Sequence, residues 1–166
     1  MHRFVSVAVA SLIGLTMASA VGAQSITLAG PADQQRIVSM ADISALPRES
    51  VTVRQHGQDH QFDGVALASV LSLVKAPLGP ALRGKELATV VLVTASDGYA
   101  AALALAEVDP AMQTKKIILA DHMDGAPLPP DRGPFQLIIE GDLRPARAVR
   151  MVTSIDLIKA NRQADK

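Results

Sequence analysis

The sequence predicts an α+β domain with a mixed or antiparallel sheet and few short helices. Three observations lead there. Strand-length apolar segments recur along the chain, and one segment carries a helical apolar spacing. Two Asp-Gly pairs, Asp97-Gly98 and Asp124-Gly125, sit where hairpin turns are needed. No internal repeat, low-complexity block or interdomain linker interrupts the order, so residues 24–160 are expected to form a single domain.

Taken in order, Ile26 to Leu28 and Arg36 to Met40 are strand-length segments separated by Pro31 and a polar run. Ala41 to Leu46 suits one helical turn, stopped by Pro47. Val51 to Gln55 alternates apolar and polar residues as a half-buried strand does, and Gly57 turns the chain back into His60 to Phe62. From Val65 to Val74, apolar residues fall mostly three and four apart, which predicts an amphipathic helix ended by Pro77, Gly79 and Pro80. Ala88 to Thr94 is a continuous β-branched run of the kind expected in a buried central strand. The Asp97-Gly98 turn then leads into Tyr99 to Leu105 as its partner strand. Ala106 to Met112 is assigned a short helix, and Ile117 to Ala120, Phe135 to Glu140 and Met151 to Ile158 the remaining strands.

The N-terminus has the pattern of a general secretory signal peptide. His2 and Arg3 are followed by an apolar run from Phe4 to Met17 and by small-residue cleavage sites, with cleavage expected after Ala23. The run falls short of the roughly 20 residues that span a bilayer, so no membrane anchor is expected after cleavage. The expected location is periplasmic or secreted. Residues 161–166 are polar and read as a frayed tail.

Composition narrows the chemistry. The chain has no cysteine, which excludes thiolate zinc sites, iron–sulfur clusters and cysteine nucleophiles. Its formal net charge of zero argues against nucleic-acid binding, which needs a basic surface to displace counterions. With one Tyr, three Phe and no Trp, the core must be aliphatic, and few aromatic platforms remain for stacking bases or sugars.

Several motifs occur in a recognisable order: Phe62-Asp63-Gly64-Val65-Ala66-Leu67, Asp97-Gly98-Tyr99, Met123-Asp124-Gly125-Ala126-Pro127-Leu128, Gly133-Pro134, and Arg150 through Ile155. In that order they resemble the oxidoreductase molybdopterin-binding domain, the sulfite-oxidase-like fold. The resemblance covers about two-thirds of the chain. It implies a molybdopterin cofactor whose molybdenum is ligated by a cysteine upstream of the Gly-Val segment. This chain offers only Val51 to His60 there. Gln136 stands where the family usually has Arg, Glu140 where it often has Pro, and Met151 replaces a Trp. The family's N-terminal pterin-binding portion also has no counterpart in the short stretch before Phe62. Arg150 is the basic residue kept where the family meets the pterin phosphate. Exported members of this family generally leave folded by the twin-arginine route, whereas His2-Arg3 contains no Arg-Arg pair. No cofactor is therefore expected, and molybdopterin is raised by the resemblance alone.

The remaining residues offer two kinds of site. Arg144, Arg147 and Arg150 recur every third residue. On a helical turn they would form a stripe able to hold a phosphate or carboxylate, or else a solvated face paired with Asp142 or Glu140. Asp97, Tyr99 and Asp124 lie at the two turns, and Tyr99 can serve a ligand in a cleft or merely cover a sheet edge. His56, His60 and His122 are candidate ligands for copper, nickel or zinc, against the alternative of a solvated polar turn around Gly57. Ser69 and Ser96 lack a nucleophile context, and no catalytic residue is assigned. The expectation is a non-catalytic binding or accessory module for a periplasmic protein or a small anionic ligand. Two other readings stay open: a molybdopterin-dependent oxidoreductase with oxygen or nitrogen ligands, and a metal-binding protein built on the three histidines.

Overall fold

The computed structural model describes residues 24–31 and 34–160. The expected signal peptide and frayed tail lie outside the described residues. Along the chain come β1 (Ser25–Ala29), β2 (Gln35–Ser39), α1 (Met40–Ser44), β3 (Arg48–Gln55), β4 (Gln58–Ala66) and α2 (Leu67–Ser72). Then follow β5 (Thr89–Ala95), β6 (Ala100–Ala104), α3 (Leu105–Val108), β7 (Ile117–Met123), β8 (Ala126–Pro127), β9 (Gln136–Ile139) and β10 (Val152–Lys159).

The strands divide between two five-stranded sheets. One has the order β2-β1-β10-β5-β6 and is mixed, because β1 runs parallel to β10. The other is antiparallel, with β4, β8 and β9 all pairing to β7 and β3 completing the edge beside β4. The main core lies between elements of both sheets and α2, with Ile26, Leu28, Leu67, Leu71, Val91, Leu119 and Leu137 essentially excluded from water. Ile118, Ile138, Val51 and Phe62 form a smaller cluster on the other face of the antiparallel sheet. The sequences of β7 and β9 are apolar without alternation for that reason: successive side chains point to opposite faces, and both faces are covered.

Several boundaries differ from those the sequence predicts. The helix expected over Val65 to Val74 begins only at Leu67, because β4 continues through Ala66. Val65 pairs with Arg48 on one side and Leu119 on the other. The helical spacing holds within α2, where Leu67, Val70 and Leu71 are fully buried. After it, the chain turns through Lys75 in the left-handed region and leaves. Leu105 belongs to α3 rather than to the strand before it, and α3 stops at Val108 instead of Met112, since Pro110 cannot continue a helix. The run in β5 alternates buried and half-buried residues, so it is covered fully on one face only.

Gly64 has a role the sequence leaves hidden. It sits at a bulge in the β4–β7 pairing. A Cβ placed there would lie 2.2 Å from the Leu119 carbonyl oxygen and 2.5 Å from the Ala120 Cα. Glycine is required for the close approach of two strands, not for a helix start.

Candidate functional site

The β5–β6 hairpin turn is built locally. Gly98 takes φ of 86°, and the Asp97 carboxylate accepts a 2.9 Å hydrogen bond from the Tyr99 backbone N–H. Tyr99, half exposed, donates its hydroxyl hydrogen to the Ala146 carbonyl and so leans over the segment that precedes β10. That segment is fixed from both sides. The Met151 carbonyl accepts from the Ser96 N–H at 3.0 Å, and the Met151 N–H donates to the Arg132 carbonyl at 2.8 Å.

These contacts enclose a cleft of about 320 Å³ lined by Asp97, Tyr99, Asp131, Gln136, Arg150 and Met151, among others. Gln136 is among its lining residues and is 1 % exposed. Its Oε1 has no hydrogen-bond partner among the described residues. Arg150 has one weak partner, Asp131, at 3.9 Å, and Asp131 is mostly solvated. Arg132 neighbours this cluster and donates to the Gln55 Oε1 at 3.2 Å. Burial, and then the charge on Arg150, lowers the proton affinity of its guanidinium, with Asp131 and Asp124 opposing.

Of the residues predicted from sequence, Asp97, Tyr99 and Arg150 share this cleft. Arg147 does not. It makes two hydrogen bonds to Asp142, at 3.1 and 2.7 Å, and one to Glu107 at 3.2 Å. Arg144 is exposed, and Pro145–Arg147 is a single 3-10 turn, so the three arginines form no stripe. Asp124 occupies the β7–β8 turn at φ of 52°. It accepts from the Gln61 N–H at 2.9 Å and pairs with His60 Nδ1 at 2.7 Å. The His60 hydrogen bond, then that of Gln61, holds its carboxyl below the ordinary range, against slight burial.

A second polar cluster joins residues far apart in sequence. Arg48 makes a bidentate pair with Asp121, at 2.7 and 2.5 Å, and His122 Nδ1 reaches the same carboxylate at 2.8 Å. Asp121 is 7 % exposed. Burial pushes its pKa up, but the hydrogen bonds from Arg48 and His122 prevail and leave it lowered. Asp121 and His122 edge a groove of about 570 Å³ with Met40, Ser44, Leu128 and Pro134. His56, at φ of 52° in the β3–β4 turn, is exposed. Among the described residues no three His, Asp or Glu side chains are grouped to hold a metal ion.

The family model for the oxidoreductase molybdopterin binding domain matches residues 18–165. The chain belongs to this family. Among solved structures, this molybdopterin-binding-domain protein is similar to the sulfane dehydrogenase SoxCD from Paracoccus pantotrophus, with a TM-score of 0.62 and 14% sequence identity. The match covers 80% of this chain but only 37% of that one, so the family domain here corresponds to about a third of its relative's length. No curated protein sequence matches it significantly.

The residues present do not fit the family's metal. Molybdenum in such a site calls for a soft thiolate, and this chain has no cysteine. The histidines that could substitute are engaged separately, His60 with Asp124 and His122 with Asp121. What fits is confined to the anion side of the cleft, where Arg150 has a single distant partner. Sequence reasoning missed Arg132 and Asp131 there, and Arg48 beside Asp121. Gln136 was visible in the sequence only as a departure from the family pattern.

Proposed function

We propose that this chain is an exported, non-catalytic member of the molybdopterin-binding domain family that holds a small anionic ligand in the cleft at Arg150. The observation that carries the reading is Arg150, which lines an open cleft and whose ion-pair partner among the described residues, Asp131, is 3.9 Å away and mostly solvated. A bound anion gives such a weakly paired guanidinium charge-assisted hydrogen bonds. The absent cysteine supports a binding role over redox catalysis, and the pattern of residues 1–23 supports export to the periplasm or beyond.

The test has two arms. The protein is expressed with its own leader and recovered by cell fractionation. Periplasmic material beginning at Gln24 supports export, and an uncleaved cytoplasmic chain overturns it. The same material is assayed for metals by mass spectrometry and for pterin by fluorescence. Stoichiometric molybdenum with pterin would sink the non-catalytic reading. Sulfate titrated into the wild type and into Arg150→Ala then tests the anion site, which requires weaker binding in the variant.

A further inference from the structure

β3 is an edge strand: β4 is its neighbour, and among the described residues no strand lies on its other side. The turn that joins the two fixes which backbone groups of β3 are unused. His56 and Gly57 both have positive φ and form a two-residue hairpin turn. Gln55 and Gln58 therefore exchange hydrogen bonds, and so does every second pair behind them. Thr52 falls in the other set. It lies opposite Gln61, whose N–H and carbonyl both serve Asp124 on the β7 side. The N–H and carbonyl groups of Arg48, Ser50, Thr52 and Arg54 accordingly point away from the sheet. The contact found there is long, 3.5 Å from the Lys116 ammonium to the Ser50 carbonyl. Natural edges are commonly blunted by bulges, prolines or short length. β3 has eight residues, no proline and an unbroken register with β4, and its charged residues sit towards its ends. Val51, Thr52 and Val53 at its centre favour strand pairing.

We infer that β3 pairs antiparallel with β3 of a second copy, joining the two antiparallel sheets across a two-fold axis. An axis normal to the sheet keeps like faces together, so each residue opposes one on its own face, an even number of positions away. Two such registers centre the strand on itself. One puts Val51 opposite itself and sets Arg48 against Arg54 of the second copy, which repel. The other puts Thr52 on the axis. It opposes Ser50 to Arg54, Glu49 to Gln55 and Val51 to Val53, and no like charges face each other within the strand. The outward groups of Ser50, Thr52 and Arg54 then meet their counterparts in about six backbone hydrogen bonds. This register also extends the smaller apolar cluster. Val51 is 2 % exposed, whereas Val53 on the same face is only partly buried, and Val51 of the second copy covers it. A contact between two strands is small among protein interfaces, so the dimer forms and dissociates with concentration. The inference stands apart from the anion reading of the cleft.

The experiment is analytical ultracentrifugation of the purified protein over a dilution series. The average mass is expected to rise from monomer towards dimer with concentration. Thr52→Lys sets two ammoniums face to face on the axis and is expected to hold the protein at monomer mass. Its circular dichroism and melting temperature should match the wild type, because Thr52 is exposed. Thr52→Val, which keeps the β-branch, is expected to dimerise at least as tightly. The register is read separately, since the chain has no cysteine of its own. A short bifunctional thiol reagent should link Thr52→Cys into dimers. Arg54→Cys should stay unlinked, because its counterpart lies four residues, or about 14 Å, further along the strand. A monomer throughout the dilution series overturns the inference. So does a dimer that Thr52→Lys leaves intact, or linkage of Arg54→Cys as readily as Thr52→Cys. None of these results touches the anion site, which the sulfate titration reads on its own.

Discussion

Replacing Gly64 with alanine tests the packing between β4 and β7. The added Cβ would fall 2.2, 2.5 and 2.7 Å from the Leu119 oxygen, the Ala120 Cα and the Leu119 carbonyl carbon, all backbone atoms. A side chain could rotate away from such a contact, whereas here two strands must separate by about an ångström to restore ordinary van der Waals distance. Leu119 faces the main core and Ala120 the smaller cluster, so the shift loosens both. Overpacked cores lose about 1–3 kcal/mol, and this rigid case belongs at or slightly above the top of that range. Against a typical domain stability of about 5–15 kcal/mol, the loss is large. With a urea slope near 2 kcal/mol per molar, the midpoint should fall by about 1.5 M. Far-UV circular dichroism is the suitable probe, because the chain has no Trp and one Tyr. Gly57→Ala is the control: nothing lies within 4 Å of its Cβ, and only the positive φ of 84° is strained, worth about 1 kcal/mol. A Gly64→Ala midpoint no lower than that of Gly57→Ala would refute the reasoning.

Other outcomes follow from the two polar clusters. Gln136→Leu removes an unpaired buried acceptor and should raise stability by about 1 kcal/mol, or roughly 3–5 °C in a thermal melt. Asp121 has a folded pKa below its ordinary 3.8. Its contribution is therefore complete above that value and is lost as pH falls through the lower, folded one. Urea midpoints measured from pH 5 down to pH 2 should fall more steeply in the wild type than in Asp121→Asn. Arg48→Met strands the Asp121 carboxylate with His122 alone. It should cost about 2 kcal/mol in urea unfolding, less than a fully buried pair, because the Arg48 side chain is 40% exposed. Arg147→Ala breaks partly exposed pairs with Asp142 and Glu107. It should cost no more than about 1 kcal/mol and leave sulfate binding at the cleft intact.

Features set by neighbours in sequence were legible there. The Asp97-Gly98 and Asp124-Gly125 turns and the apolar runs of β5, β7 and β9 depend on local chemistry, and they appear where the residues place them. Val65 was misassigned because its spacing to Leu67 and Val70 suits a helix, while its pairing with Arg48 and Leu119 lies elsewhere in the chain. The same limit applies to the sites. Asp97, Tyr99 and Arg150 could be named from motifs, but only the fold separates Arg150 in the cleft from Arg147 on Asp142. The Arg48–Asp121 pair left no trace in the sequence, since its partners are 73 residues apart.

The parallel pairing of β1 with β10 also sets a timetable. Thr27 pairs with Ser154, and β10 lies between β1 and β5 at the centre of its sheet. A chain emerging N-terminus first has β1 and β2 on one side and β5 and β6 on the other, with the strand that joins them still unmade. Closing so long a loop is the slow, non-local step of folding. Until the last strand arrives that sheet stays in two halves. The export proposed above would fall within that interval.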